Sequence, residues 1–149
     1  MPSFTGTFSA IDNVSGAPSA GVQLASGGGS WSSLSDRNAK TNFSAIDPGR
    51  ILDGVLGLPV TRWSYRAQTD SIRHIGPMAQ DFRAAFNVGE DDRHITTIDE
   101  EGVALAAIQG LNAKIEAENA QLKHGLETTQ SRLDQVLARL AKLEAAREP

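Results

Sequence analysis

A heptad pattern in the last third of the chain constrains the fold more than any other feature. From about Gly102, Leu105, Asn112, Asn119, Leu126, Leu133 and Leu140 recur at one position of a seven-residue repeat. Ile108, Ile115, Leu122, Thr129, Val136 and Leu143 recur three residues later. Apolar residues at these a and d positions every 3.5 residues mark helices that supercoil around one another. A helix of ~60 Å, at 1.5 Å per residue, would otherwise need its own chain to cover it, and residues 35–100 offer little surface for that. Self-association is the expectation. Leu at a with Ile or Val at d disfavours a parallel dimer and suggests three or more strands, with Asn112 and Asn119 setting the register at some cost in stability. Gly125 and Thr129 are the points where the helix is expected to loosen.

The 149 residues have a net charge of −4, and only 5% of them are aromatic, which is thin material for one large globular core. An elongated or oligomeric molecule fits better. No basic stripe is interleaved with aromatics, so the footprint of a nucleic-acid binder is missing. No stretch approaches the ~20 apolar residues of a membrane span, and residues 1–4 lack the basic start of a signal peptide. Without cysteine, disulfides and thiolate metal sites are excluded.

Charge is distributed abruptly. Residues 1–34 hold one ionisable side chain, Asp12, while all 14 Lys and Arg and 17 of the 18 Asp and Glu (18 − 1) lie at or after Ser35. The first 34 residues carry six glycines and eight serines around short alternating runs such as 7–11 and 21–25. They read as short strands and turns whose partners are preceding structure or other copies; a Gly/Ser linker is the other reading of that composition. From Ser35 the texture changes to that of a small α/β unit. Asp47 followed by Pro48 predicts a helix start, with Ile51, Leu52, Val55 and Leu56 on one face and an end at Gly57 and Pro59. Residues 60–65 make the best strand of the middle region, with Trp63 and Tyr65 as core residues. Met78, Ala79, Phe82, Ala85 and Phe86 predict a second helix that stops near Asn87 and Gly89. Residues 95–98 read as a short strand leading to Asp99 as a helix N-cap.

Ser35 and Lys40 supply a hydroxyl and an amine five residues apart. A serine hydroxyl is a poor nucleophile until a base takes its proton, and a lysine serves as that base only when burial or a neighbouring cation favours its neutral form. In a continuous helix the two would point about 140° apart, so they meet only if Ser35 is in an extended or turn segment just before a helix. The other reading is an exposed Asp36–Lys40 pair at i, i+4 with Ser35 as N-cap. On spacing alone the second is the commoner arrangement. His74, His94 and His124 lack an i, i+4 partner, and Glu90, Asp91 and Asp92 lack calcium-loop spacing. No metal or cofactor is expected.

Taken together in order, Ser35-Asp36 with Lys40, the Ile51–Leu56 helix, the aromatic strand Trp63–Tyr65, the run from His74-Ile75-Gly76-Pro77-Met78 to Gln80-Asp81, and the terminal heptads resemble the S74 peptidase family. That family is the intramolecular chaperone at the C-terminus of endosialidase-type phage tailspikes and fibres, and is similar to the auto-cleaving domain of myelin regulatory factor. The resemblance covers about residues 34–125. It implies an α+β fold in three parts: a β-rich stalk end (1–34), a globular unit (35–100) and a coiled-coil helix (101–149) in a parallel homotrimer. It further implies that the chaperone assists folding of an upstream fibre of the same polypeptide, on a phage virion or bacterial surface, and then cuts itself off at Leu34–Ser35. Ser35 would be the nucleophile and Lys40 the base, with Asp36, Asn38, His74 and Gln80 in support. The arginine usual three residues after the serine is Asn38 here, with Arg37 one place earlier, which leaves that arginine's role unassigned. The alternative is a trimerising foot of a fibre or adhesin that never cuts; a third is the processing domain of a membrane-anchored transcription factor.

Overall fold

A computed structural model describes residues 6–14 and 17–147, so residues 1–4 lie outside the described residues. It is an α+β chain in two compact units, residues 1–46 and 47–149. The composition step at Ser35 falls inside the first unit.

The first unit is a three-stranded antiparallel sheet in the order β1 (Phe8–Val14), β2 (Ala17–Leu24), β3 (Ser32–Ser33). The expected short strands are present and pair with each other within the chain. Phe8 opposes Leu24 and Ile11 opposes Gly21, with an irregularity at Asp12/Asn13. Gly21 is required at this place: its φ is +130°, and a Cβ there would run into the Ala10 carbonyl oxygen and come within 2.7 Å of the Ile11 Cα. Gly27, at φ +74°, turns the chain back towards β3.

The second unit is built on helices. In α1 (Pro48–Gly57), Asp47 accepts hydrogen bonds from the backbone N–H groups of Gly49 (2.9 Å) and Arg50 (3.3 Å), and Pro48 opens the helix. Leu52 is buried, whereas Leu56, placed on the apolar face by sequence, is exposed. In α2 (Ala79–Phe86), Phe82 is buried and stacks edge-on against Phe86 at 4.9 Å. Asn87, in the left-handed conformation at φ 52°, ends the helix. Between them β4 (Thr61–Trp63) and β5 (His74–Gly76) form a two-stranded ribbon. The expected strand over 60–65 is therefore shorter, because the chain turns at Tyr65, whose carbonyl accepts from Gln68 N–H. Tyr65 is exposed rather than core, and Trp63 is half-buried.

The last helix, α3 (Thr97–Ala145), is 49 residues long, about 74 Å at 1.5 Å per residue. It starts earlier than the heptads indicate, and the strand expected over 95–98 is absent, Thr97 and Ile98 being helical. Thr96 is the N-cap: its hydroxyl accepts from Asp99 N–H and donates to the Asp99 carboxylate at 2.7 Å, so Asp99 sits inside the first turn and closes the cap. The helix runs unbroken through Gly125 and Thr129, and the Thr129 hydroxyl donates back to the Gly125 carbonyl at 2.9 Å. No helix among the described residues is long and apolar enough to cross a membrane.

Two faces of α3 differ in burial. Ala106, Ala107 and Gly110 are buried against α1. In the heptad register these are positions b, c and f. At about 100° per residue they lie on the side of the helix opposite a and d. Their small size brings the helices together: a Cβ on Gly110 would lie 3.1 Å from the Leu52 Cβ. The a and d residues from Leu105 to Leu143 are left facing outward, among them Leu122 at 72% and Leu126 at 70% exposure.

Candidate functional site

Ser35 follows the last ladder residue of the first unit. The ladder between β2 and β3 pairs Val22 with Ser33, and one further hydrogen bond joins the Leu34 N–H to the Gly21 carbonyl at 2.8 Å. The chain then leaves the sheet. Asp36 is extended, at φ −66° and ψ 133°, and Arg37–Ala39 wind into a single 3-10 turn. The Asp36 carboxylate caps that turn, accepting from the Asn38 backbone N–H at 2.9 Å and from the Asn38 side-chain amide at 3.1 Å.

The turn ends at Lys40, extended at φ −117°, whose N–H donates to the Arg37 carbonyl. This geometry carries the lysine side chain back over the turn, and its Nζ donates to the Ser35 Oγ at 2.7 Å. The chain thus brings together the hydroxyl and the amine, with Ser35 in an extended segment just before the turn. Asp36, rather than Ser35, is the cap. Both Ser35 and Lys40 are exposed in the single chain. Arg37 lies 5.9 Å from the centre of the Phe43 ring, a cation–π contact that sequence reasoning had no signal for. A shallow groove of about 240 Å³ runs beside Leu34 and Ser35, walled by Ile11, Pro18 and Val22.

His74 and Gln80 belong to the second unit. His74 shares a hydrogen bond of 2.9 Å between its Nε2 and the Gln68 Oε1, so Nε2 carries the proton. Its ring lies 4.8 Å from Trp63 and 5.4 Å from Tyr65. Trp63 and Tyr65 in turn line a depression of about 540 Å³ with Ile75, Met78, Gln80 and Arg93. The Trp63 Nε1 is buried there without a hydrogen-bond partner. Gln68 and the aromatic cluster were missed from sequence, since the run from Trp63 to His74 has no periodicity that would reveal a ribbon.

The acidic loop before α3 is organised around one carboxylate. Asp91 accepts from the Arg93 N–H (2.7 Å), the His94 N–H (2.9 Å) and the His94 imidazole (2.9 Å). The Arg93 N–H, followed by the His94 side chain, holds the Asp91 carboxyl down at about 2.

Residues 35–88 match the peptidase S74 family model, described as the chaperone of endosialidase. The match begins at Ser35 and ends before α3, so Lys40, the ribbon and α2 fall within it and β1–β3 do not. No curated protein and no solved structure matches the chain. The Ser35–Lys40 contact lies at the first residues of the match, and it is residues 35–88 of the chain that are similar to the S74 peptidase family, the chaperone of endosialidase.

Proposed function

We propose that the chain is a trimerising chaperone that assists folding of an upstream fibre of the same polypeptide and then releases itself by cutting Leu34–Ser35. The observation that carries this reading is the 2.7 Å contact between the Lys40 Nζ and the Ser35 Oγ at the first residue of the family match.

The chemistry runs in two steps. Neutral Lys40 takes the hydroxyl proton as Ser35 Oγ attacks the Leu34 carbonyl carbon, with backbone N–H groups holding the oxyanion. The C–N bond breaks, Lys40 returns the proton to the departing Ser35 nitrogen, and Leu34 is left as an ester on Ser35 Oγ. Water then hydrolyses the ester to a Leu34 carboxylate and a free Ser35. Asp36 and Asn38 support this by holding the turn in shape.

Assembly is the trigger. A lysine amine acts as a base only when neutral, and removal from water favours that form. Neighbouring copies that cover Lys40 supply the desolvation that a single chain lacks. The driving force lies in α3, where nine large apolar a and d residues from Leu105 to Leu143 (Leu105, Ile108, Ile115, Leu122, Leu126, Leu133, Val136, Leu140, Leu143) are each about half exposed or more. Burying them stabilises the assembly by on the order of 10 kcal/mol per chain. The setting this reading supports is a phage tail fibre or spike.

A second reading, a structural trimerisation module that never cuts, rests on the exposed seam of α3 alone. Intact mass separates the two. Ser35→Ala and Lys40→Ala should each give one full-length band on a denaturing gel where the wild type gives a fragment starting at Ser35. Equal processing of mutant and wild type would sink the cleavage mechanism.

A further inference from the structure

We propose that β2 is the substrate-holding strand of the cut, so that the site is built from both products and comes apart when they separate. This rests on the cleavage reading above and extends it to residues that lie outside the family match.

A protease usually holds its peptide as an added strand, through backbone hydrogen bonds that orient the bond to be cut. Here the chain does this to itself. β3 pairs antiparallel with β2 at Ser33–Val22 and Ser32–Gln23, and the Leu34 N–H continues the ladder to the Gly21 carbonyl at 2.8 Å. Leu34, whose carbonyl Ser35 attacks, is the last residue so held. On the other side of the bond, the turn Arg37–Ala39 that delivers Lys40 also packs against β2. One strand therefore fixes the carbonyl and the dyad relative to each other.

Gly21 is what permits this arrangement. Its carbonyl serves Leu34 while its Cα side faces β1, where a Cβ would meet the Ala10 carbonyl oxygen. A larger residue would push β2 away from β1 and shift the carbonyl that anchors Leu34. The two halves also part unequally. β2 and Leu34 stay with the upstream product, while Ser35, the turn and Lys40 leave. The departing chaperone keeps its nucleophile and base but loses the strand that would present another peptide, so it turns over once.

The test uses the full chain and a time course of synthesis, followed on denaturing gels with the products identified by mass. Inserting one glycine between Ser33 and Leu34 moves Leu34 off Gly21 by one register place and leaves residues 35–149 intact. Cleavage before Ser35 should slow by roughly 100-fold or more, since one register place is about 3.3 Å and a misplacement of about 1 Å already costs that much. Gly21→Ala should act in the same direction. Helix content and oligomer mass of the insertion variant should match those of uncleaved Ser35→Ala. Cleavage of the insertion variant at the wild-type rate overturns the proposal, as does wild-type cleavage of Gly21→Ala. If Ser35→Ala and Lys40→Ala block the cut while the insertion variant does not, only the role of β2 falls. If those two variants are still processed, the mechanism beneath it falls as well.

Discussion

Gly110 of α3 passes so close to Pro48 of α1 that a Cβ on Gly110 would overlap the Pro48 carbonyl oxygen and come within 2.7 Å of its carbonyl carbon. Backbone has no rotamer with which to retreat, so the helices would have to separate. Gly110→Ala should therefore destabilise the second unit by about 1–3 kcal/mol, in the range of overpacking. Thermal unfolding by circular dichroism checks this. An unchanged melting temperature would mean that α1 does not pack on α3 at this point.

The same packing makes the other face of α3 testable. Since α1 occupies positions b, c and f, charges placed at a and d should spare the second unit and affect only association. Leu122→Glu with Leu126→Glu, both residues being at least 70% exposed in the single chain, should reduce the mass by light scattering from three chains to one of 15.8 kDa. A Ser35→Ala background keeps each chain whole during the measurement. A multimer that survives both charges would show that the seam is elsewhere.

What was legible in the sequence follows from where the physics is local. Asp47 and Pro48 announce the start of α1 because a cap needs only its own neighbours, and the hydroxyl–amine contact across Arg37–Ala39 was legible as a geometric condition on Ser35. The three-residue ribbon around Trp63 and His74 was not, since its register is set by pairing across an irregular loop. The region before α3 misled for a related reason. The β-branched residues Ile95, Thr96, Thr97 and Ile98 favour a strand by propensity, but the hydroxyl of Thr96 and the carboxylate of Asp99 close a helix cap, and the long helix beyond it decides the outcome. Gly21 and Gly110 could be counted in the sequence, but their necessity lies in backbone brought close by distant segments.

Asp91 offers a measurement of the loop that leads into α3. Its carboxyl is lowered from 3.8 to about 2, first by the Arg93 N–H and then by the His94 side chain. A lowered acid contributes order that is fully present above pH 3.8 and is lost as the pH falls through about 2. A carboxyl-detected NMR titration should place the Asp91 midpoint well below those of exposed aspartates. Hydrogen exchange at the Arg93 and His94 amides should quicken in Asp91→Ala at neutral pH. A midpoint at the ordinary aspartate value would remove the three-donor turn.

Lys40→Arg separates the two things Lys40 can do for Ser35. Arginine keeps a long cationic side chain whose N–H groups can reach the Ser35 hydroxyl, so a role limited to holding the turn should survive the exchange. A guanidinium does not lose its proton in proteins, so a role as base should not. A positioned general base contributes roughly 10²–10⁴-fold. The Lys40→Arg chain should therefore assemble to the same mass as Ser35→Ala and accumulate uncut, with no fragment beginning at Ser35 over a time in which the wild type is fully processed. Cleavage within about tenfold of the wild-type rate, below that range, would assign the 2.7 Å contact to shaping the turn and leave another group to take the proton.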